Sequence, residues 1–401
     1  MRPFSSTISI GEARRRLRDG VRPISKIERI PLERAAERVA AADVTSTIDV
    51  PPFTRSAMDG YAVAAADTAL ASPHAPAQLE LVGRVFTGEV GLQAAGDGRC
   101  VEIATGAPLP PGADAVVMVE DTRRSGGAIQ ILNAVTTGQN VGRRGADITC
   151  GDRIVAAGDV LVPSRIGALA ATGIADVDVF ARPRVAILST GNEVVDPGQP
   201  LPPGHIFDVN RFTLGAVVSQ HGCDPDLHRP VADTLDALVD ALDRSSTADV
   251  IVFSGGSSVG ERDLILDAVR SRGEMVFHGI AVRPGKPTAF AIVNDRPFFG
   301  MPGNPTSCLS NAYVLLVPFL RSTARLPPHQ PRLARVPLGR RITSPAGRHQ
   351  FYTVRIRDGV ALPAFKGSGD ITSLSQADGY IEIPETQSVV EEGAVVEVTL
   401  F

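Results

Sequence analysis

Asp249-Val-Ile-Val-Phe253 runs straight into Ser254-Gly-Gly-Ser-Ser-Val-Gly-Glu-Arg-Asp263. An unbroken apolar run of this length reads as a strand buried on both faces. The glycines and serines after it read as a loop whose backbone curls where side chains must stay small. Two further loops follow, Arg283-Pro-Gly-Lys-Pro287 and Met301-Pro-Gly-Asn-Pro305. Asn304 stands at an N-cap position and Pro305 at the first helical one, ahead of an apolar helix through Leu320. If each loop follows a strand of one parallel sheet, all three open at its carboxyl edge, where ligands of such sheets bind. Lys286, Arg283 and a helix start then describe a pocket for an oxyanion. Glycine and proline alone make tight turns, but three such loops within about sixty residues favour a site.

The same pattern extends outward on both sides. Arg184–Ser189 reads as a strand leading to the turn Thr190-Gly-Asn-Glu193, and a helix is expected from about Asn210 to His221. Leu235, Leu238, Val239 and Leu242 space a helix that Asp233 would cap. After the 254–263 loop come a helix from Asp263 and a strand Val276–Val282. This alternation predicts a mainly parallel sheet covered by helices. Beyond Leu326, short β runs (Arg335–Leu338, Phe351–Ile356, Tyr380–Ile383, Val395–Leu400) predict a small barrel or sandwich.

Toward the N-terminus, Ser9-Ile-Gly-Glu12 has capping-box spacing and starts a helix to about Arg18. Pro31, with Leu32, Ala35, Ala36 and Val39, predicts a second. Val50-Pro-Pro-Phe53 forces an extended segment, and Asp59-Gly60 signals a turn. Runs at Leu79–Phe86, Cys100–Ile103, Ala115–Val119 and Ala128–Leu132 describe a small all-β module. A β-like run at Asp159–Val162 and a helix from Pro163, stopped at Gly173, close this part. The expected fold class is therefore α/β multidomain. A mixed N-terminal domain takes residues 1–45 plus 145–180, and an inserted β domain takes 46–144. The central α/β domain spans 181–326, and a C-terminal β domain spans 327–401.

Length and composition fit this division. The chain has 401 residues, 43% hydrophobic and 21% charged, with net charge −4. That balance implies no general attraction to nucleic acid or anionic membrane. No apolar run reaches the roughly 20 residues that cross a bilayer. The four cysteines form no CxxC pair, so buried free thiols in a reducing cytoplasm are expected, with neither zinc nor disulfides. Any metal would then take oxygen ligands, which points to a hard ion such as magnesium.

Ser56-Ala-Met-Asp-Gly-Tyr-Ala62, Thr105-Gly-Ala-Pro-Leu-Pro, Arg143-Arg-Gly-Ala-Asp147, Ser189-Thr-Gly-Asn-Glu193, Asp208-Val-Asn-Arg211, Ser254-Gly-Gly, Pro284-Gly-Lys-Pro and Pro302-Gly-Asn-Pro305 occur in this order. In that order they resemble the molybdopterin molybdenumtransferases, the MoeA proteins and the E domain of gephyrin, over essentially the whole chain. The resemblance implies insertion of molybdate into adenylylated molybdopterin, with magnesium-dependent release of AMP as the last step of molybdenum cofactor synthesis. It also implies a homodimer with a shared active site, and a molybdopterin adenylyltransferase and apo-molybdoenzymes as partners. No nucleic acid or membrane partner is implied.

Molybdate is a tetrahedral dianion and needs cations and N–H donors, for which Lys286, Arg283, Ser307 and the Pro302–Asn304 helix start qualify. The family's contacts from the last domain carry over to Arg348 and Ser368. Asp59, Asp147, Glu193, Asp233 and Asp263 sit at family-matching positions and would hold magnesium and orient water. Asp233 and Asp263 are equally open to a role as helix caps alone. Thr105, Asp208, Gly255, Gly256 and Ser257 would bind the pterin and nucleotide part. Arg283 stands where relatives often carry lysine, and Gln350 and Thr353 replace residues that are commonly acidic and arginine. A competing reading is a catalytically inactive paralogue, a scaffold of the same fold. A nucleotide-dependent phosphotransferase would need G-x-x-x-x-G-K-[ST], which is absent.

Overall fold

The computed structural model describes residues 7–255 and 264–401. Gly256, Ser257 and Asp263 of the expected site lie outside the described residues. The chain forms two compact units, one of Met1–Glu28, Glu37–Val39 and Val179–Phe401, the other of Arg29–Ala36 and Ala40–Asp178.

The first unit contains the expected α/β sheet. Its strand order is Asp224–Leu227, Arg184–Ser189, Val250–Ser254, Arg296–Met301, Ala289–Val293, Gly273–His278. The first four are parallel, and Ala289–Val293 runs against both its neighbours. All of Val250–Ser254 is buried, as its unbroken apolar run demands. Alternate residues feed two cores, Val250 and Val252 one side, Ile251 and Phe253 the other. Phe290, Phe299 and Phe319 fill the first core with ring centroids 5.0 to 5.6 Å apart.

Several expectations need correction here. The capped helix at Ile10–Asp19 forms, with Ser9 Oγ accepting from the Glu12 N–H, but it does not join residues 145–180. Ala13 and Leu17 bury themselves in the α/β core instead. Thr234, not Asp233, caps Leu235–Arg244, because its hydroxyl reaches the Ala237 N–H. The expected Val276–Val282 strand is two strands in two sheets. Gly273–His278 ends the α/β sheet, while Val282–Arg283 joins the C-terminal one. That C-terminal sheet runs Val282–Arg283, His349–Arg357, Gly379–Ile383, Val395–Leu400, Leu333–Pro337, with Val360–Pro363 paired on His349–Arg357.

The second unit holds a six-stranded sheet in the order Ala115–Met118, Gly60–Val63, Arg99–Ile103, Ala77–Val85, Ala128–Ile131, Thr122–Ser125. Gly60 is the first residue of a central strand rather than part of a turn. A Cβ there would stand 1.9 Å from the Val117 carbonyl oxygen, so the neighbouring backbone requires glycine. Pro31 starts only a 3-10 turn, Leu32–Arg34, and Glu37 at φ 62° ends helical geometry. The local strand is Arg153–Val155, not Asp159–Val162. The helix Pro163–Ala171 ends as expected at Gly173. Cys100, Cys223 and Cys308 are buried, whereas Cys150 is exposed. Among the described residues no helix is long and apolar enough to cross a membrane.

Candidate functional site

The carboxyl edge of the α/β sheet is the starting point. Ser189 and Ser254 end paired parallel strands in register, with hydroxyls 3.2 Å apart. Ser189 Oγ donates to Asp208 Oδ1 at 2.8 Å, and the Arg211 N–H donates to the same oxygen at 3.1 Å. Arg211 Nε lies 3.3 Å from Asp208 Oδ2, and its guanidinium also pairs with Asp196 and donates to the His228 carbonyl at 2.6 Å. Asp208 and Arg211 are 4% and 6% exposed, so each charge depends on the other to stay buried.

Next to them, Gly255 has φ 103°, and a Cβ on it would meet the Thr190 carbonyl oxygen at 2.3 Å. Its loop and the Pro302–Asn304 loop approach backbone to backbone, since a Cβ on Gly303 would lie 3.3 Å from Gly255 Cα. Asn210 Nδ2 donates to the Gly303 carbonyl at 2.8 Å. Asn304 occupies the N-cap position of Pro305–Asn311 without capping it. Its Nδ2 donates to Ser368 Oγ at 3.1 Å, and the Thr306 N–H donates to the Ser368 carbonyl at 3.1 Å. The helix start is thus tied to the C-terminal part of the same unit.

The third loop does not follow a strand of the α/β sheet, contrary to expectation, but leads into one, Ala289–Val293. Val282 and Arg283 pair in parallel with His349 and Gln350, so the C-terminal sheet carries this loop. Asn311, fully buried, holds it from the other side by donating to the Gly285 carbonyl at 2.8 Å and to Thr288 Oγ1 at 2.6 Å. Gly285 has φ 102°, and a Cβ there would come within 2.2 Å of Asn311 Nδ2. The loops nevertheless line one cleft of about 1250 Å³.

Of the residues singled out from sequence, Glu193, Asp208, Gly255, Arg283 and Lys286 line this cleft. So do Pro302, Asn304, Pro305, Ser307, Arg348 and Ser368. The sequence reading missed Lys366, which also lines it and whose Nζ donates to Thr372 Oγ1 at 3.0 Å. Its only signal was its place in Lys366-Gly-Ser368, two residues before a serine already singled out. Asn210 and Ser189 also line the cleft; both stand inside motifs quoted from the sequence, yet neither was singled out as a site residue. Four cations, Arg283, Lys286, Arg348 and Lys366, face two carboxylates, Glu193 and Asp208. With Asp208 paired to Arg211, the cleft favours a small polyanion.

Asp233 is exposed and does not line the cleft; its N–H donates to Asn192 Oδ1 at 3.1 Å. In the other unit, Asp59 and Thr105 are brought together, because Asp59 Oδ1 accepts the Thr105 N–H at 2.6 Å. That bond holds the Asp59 carboxyl below the usual carboxylate range. Asp147 is exposed at a bend, and its N–H donates to the Val50 carbonyl at 3.0 Å. The carboxylate that organises this bend is Asp49, which pairs with Arg144 and accepts from the Cys150 N–H. Among the described residues no three His, Cys, Asp or Glu side chains converge to hold a metal. The expected magnesium cluster is therefore not assembled from described residues, and no chemical step is derived through it.

Family models describe matching regions along most of the chain. The MoeA N-terminal region (domains I and II) matches residues 8–173, a probable molybdopterin binding domain matches 186–322, and the MoeA C-terminal region (domain IV) matches 335–401. Molybdopterin molybdenumtransferase 2 of Mycobacterium tuberculosis is 34% identical over 388 residues, spanning 94% of this chain and 95% of the relative. The molybdopterin molybdenumtransferase of Haemophilus influenzae is 31% identical, spanning 98% of both. Two crystal structures of Pyrococcus horikoshii molybdopterin biosynthesis MoeA proteins superpose with TM-scores of 0.86 and 0.81, at 39% and 29% identity. They cover 98% and 99% of this chain, and 99% and 100% of their own.

Proposed function

The chain belongs to the MoeA family of molybdopterin molybdenumtransferases, and from that premise we propose that it is a molybdotransferase of molybdenum cofactor biosynthesis. It takes molybdate and adenylylated molybdopterin and yields molybdenum cofactor and AMP. The observation that carries this reading is the convergence of Arg283, Lys286, Arg348 and Lys366 on one cleft at the sheet's carboxyl edge.

Arg283, Lys286 and Arg348, with the Ser307 and Ser368 hydroxyls, bind and orient the molybdate dianion. Gly255, Asp208 and the Pro302–Pro305 turn take the pterin and phosphate part, where small backbone-lined loops allow close approach. Cleaving the adenylate pyrophosphate builds negative charge, and the cleft cations offset it. A magnesium ion would add to that neutralisation. Glu193 is the carboxylate of this cleft that would contact it. Asp59 and Thr105 act as a pair in this reading, the Thr105 N–H fixing the carboxylate. A homodimer is proposed with it.

The test is AMP release from bound adenylylated molybdopterin when molybdate is added. Wild-type protein releases AMP with molybdate, and Lys286→Ala, still folded, loses at least about tenfold of the rate. Folded wild-type protein that releases no AMP would favour the scaffold reading instead.

A further inference from the structure

Ser307 and Lys286 stand on different elements of the cleft, and one buried side chain joins the two. The helix Pro305–Asn311 brings Ser307 to the cleft and Asn311 one turn later on the same face. Asn311 does not line the cleft and is fully buried. Its Nδ2 donates to the Gly285 carbonyl and to Thr288 Oγ1, and Thr288 Oγ1 donates in turn to the Gly285 carbonyl at 2.9 Å. Gly285 directly precedes Lys286, and Thr288 follows two residues after it. The base of the loop is closed as well. The Ile280 N–H donates to the Lys286 carbonyl and the Gly279 N–H to the Thr288 carbonyl, both at 2.9 Å. The backbone on either side of Lys286 is thereby tied to the helix that carries Ser307.

A polar side chain this deep costs stability where it serves packing alone. Among the described residues Asn311 Oδ1 finds no hydrogen-bond partner, so half of its amide is buried at a loss. An apolar side chain would avoid that loss. The next five residues, Ala312–Leu316, wind as a π-helix, a rare geometry that recurs at functional sites. Resting on the proposed reading, we propose that Asn311 is a positioning residue for Lys286. It touches no substrate. It fixes the lysine's loop against the Ser307 helix and so sets the spacing of hydroxyl and ammonium around the molybdate dianion. A cation held in place before binding recognises an anion more tightly, because less order has to be imposed when the anion arrives.

Calorimetric titration with molybdate tests this through a double-mutant cycle. Wild-type protein binds molybdate, and Asn311→Ala is expected to weaken that binding about tenfold. In the Lys286→Ala background the same change should cost less than about twofold, since the ammonium it positions is gone. In the Lys366→Ala background, which alters a different loop, the loss of about tenfold should remain. Should Asn311→Ala fail to fold, Thr288→Val runs the same cycle. That change keeps the shape, removes one anchor, and should give a smaller loss with the same dependence on Lys286. Wild-type affinity in the folded variant, or an undiminished loss in the Lys286→Ala background, overturns the positioning role and leaves the proposed reading standing. Wild-type protein that binds no molybdate overturns both.

Discussion

On the sheet side of the cleft, Ser189, Asp208, Asn210 and Ser254 are all less than a tenth exposed and bonded to one another or to Arg211 and Gly303. On the C-terminal side, Arg348 and Lys366 stand exposed. One wall is shaped by burial and internal pairing; the other presents charge to solvent. Burial gives a wall fixed geometry at the cost of any spare charge. Exposure keeps charge available but leaves it open to screening. An anion site needs both qualities, and here they come from different parts of one unit.

The sharpest way to break this contrast is to remove half of the buried pair. Arg211→Leu leaves Asp208 charged and unmatched, and should cost about 3–5 kcal/mol of unfolding free energy by urea denaturation. A loss below about 1 kcal/mol would mean the sheet-side wall is not held by this pair. Gly255→Ala comes next. Its positive φ and the Thr190 carbonyl 2.3 Å from the added Cβ predict a loss of about 2–3 kcal/mol in the same assay. On the charged wall the response should fall on binding instead. Arg348→Ala and Lys366→Ala should each shift stability by less than about 0.5 kcal/mol. Each should weaken molybdate binding about tenfold at low salt, and by less as salt rises.

The smallest expected effect concerns pH. The hydrogen bond from His349, at 2.9 Å, holds the Glu382 carboxyl below its ordinary range, with Arg14 adding to this. A depressed carboxylate stabilises the fold above its ordinary pKa, and that contribution is lost as pH falls through the folded value. Because Glu382 is 37% exposed, the contribution should be a few tenths of a kcal/mol. Denaturation midpoints of wild type and Glu382→Gln should differ near neutral pH and converge on acidification. A gap that widened toward acid would reverse the sign.

What the sequence revealed followed local rules. The Ser9 cap, the buried Val250 strand and the Pro163 helix each rest on neighbours within a few residues. What it hid was non-local. Arg283 pairs with Gln350, sixty-seven positions away, so its loop belonged to a sheet that no local pattern could reveal. Asn304 was read as a cap from position alone, yet its amide serves Ser368. Gly60 looked like a turn because a central strand's close backbone approach leaves the same residue as a turn does. Lys366 gave no pattern at all, since a lysine in a glycine-rich loop is usually solvated surface. Two of the cleft's cations, Arg283 and Lys286, were legible in their loop; the way two sheets share its walls was not.

The two-residue pairing of Val282 and Arg283 with His349 and Gln350 carries one more implication. A chain cut before residue 335 would forfeit more than Arg348 and Lys366. The segment bearing Arg283 and Lys286 would lose the strand it leans on, and with it the direction in which those side chains point. Deleting the last module would therefore remove two cleft cations outright and leave the loop of the other two resting on Asn311 and the strand Ala289–Val293.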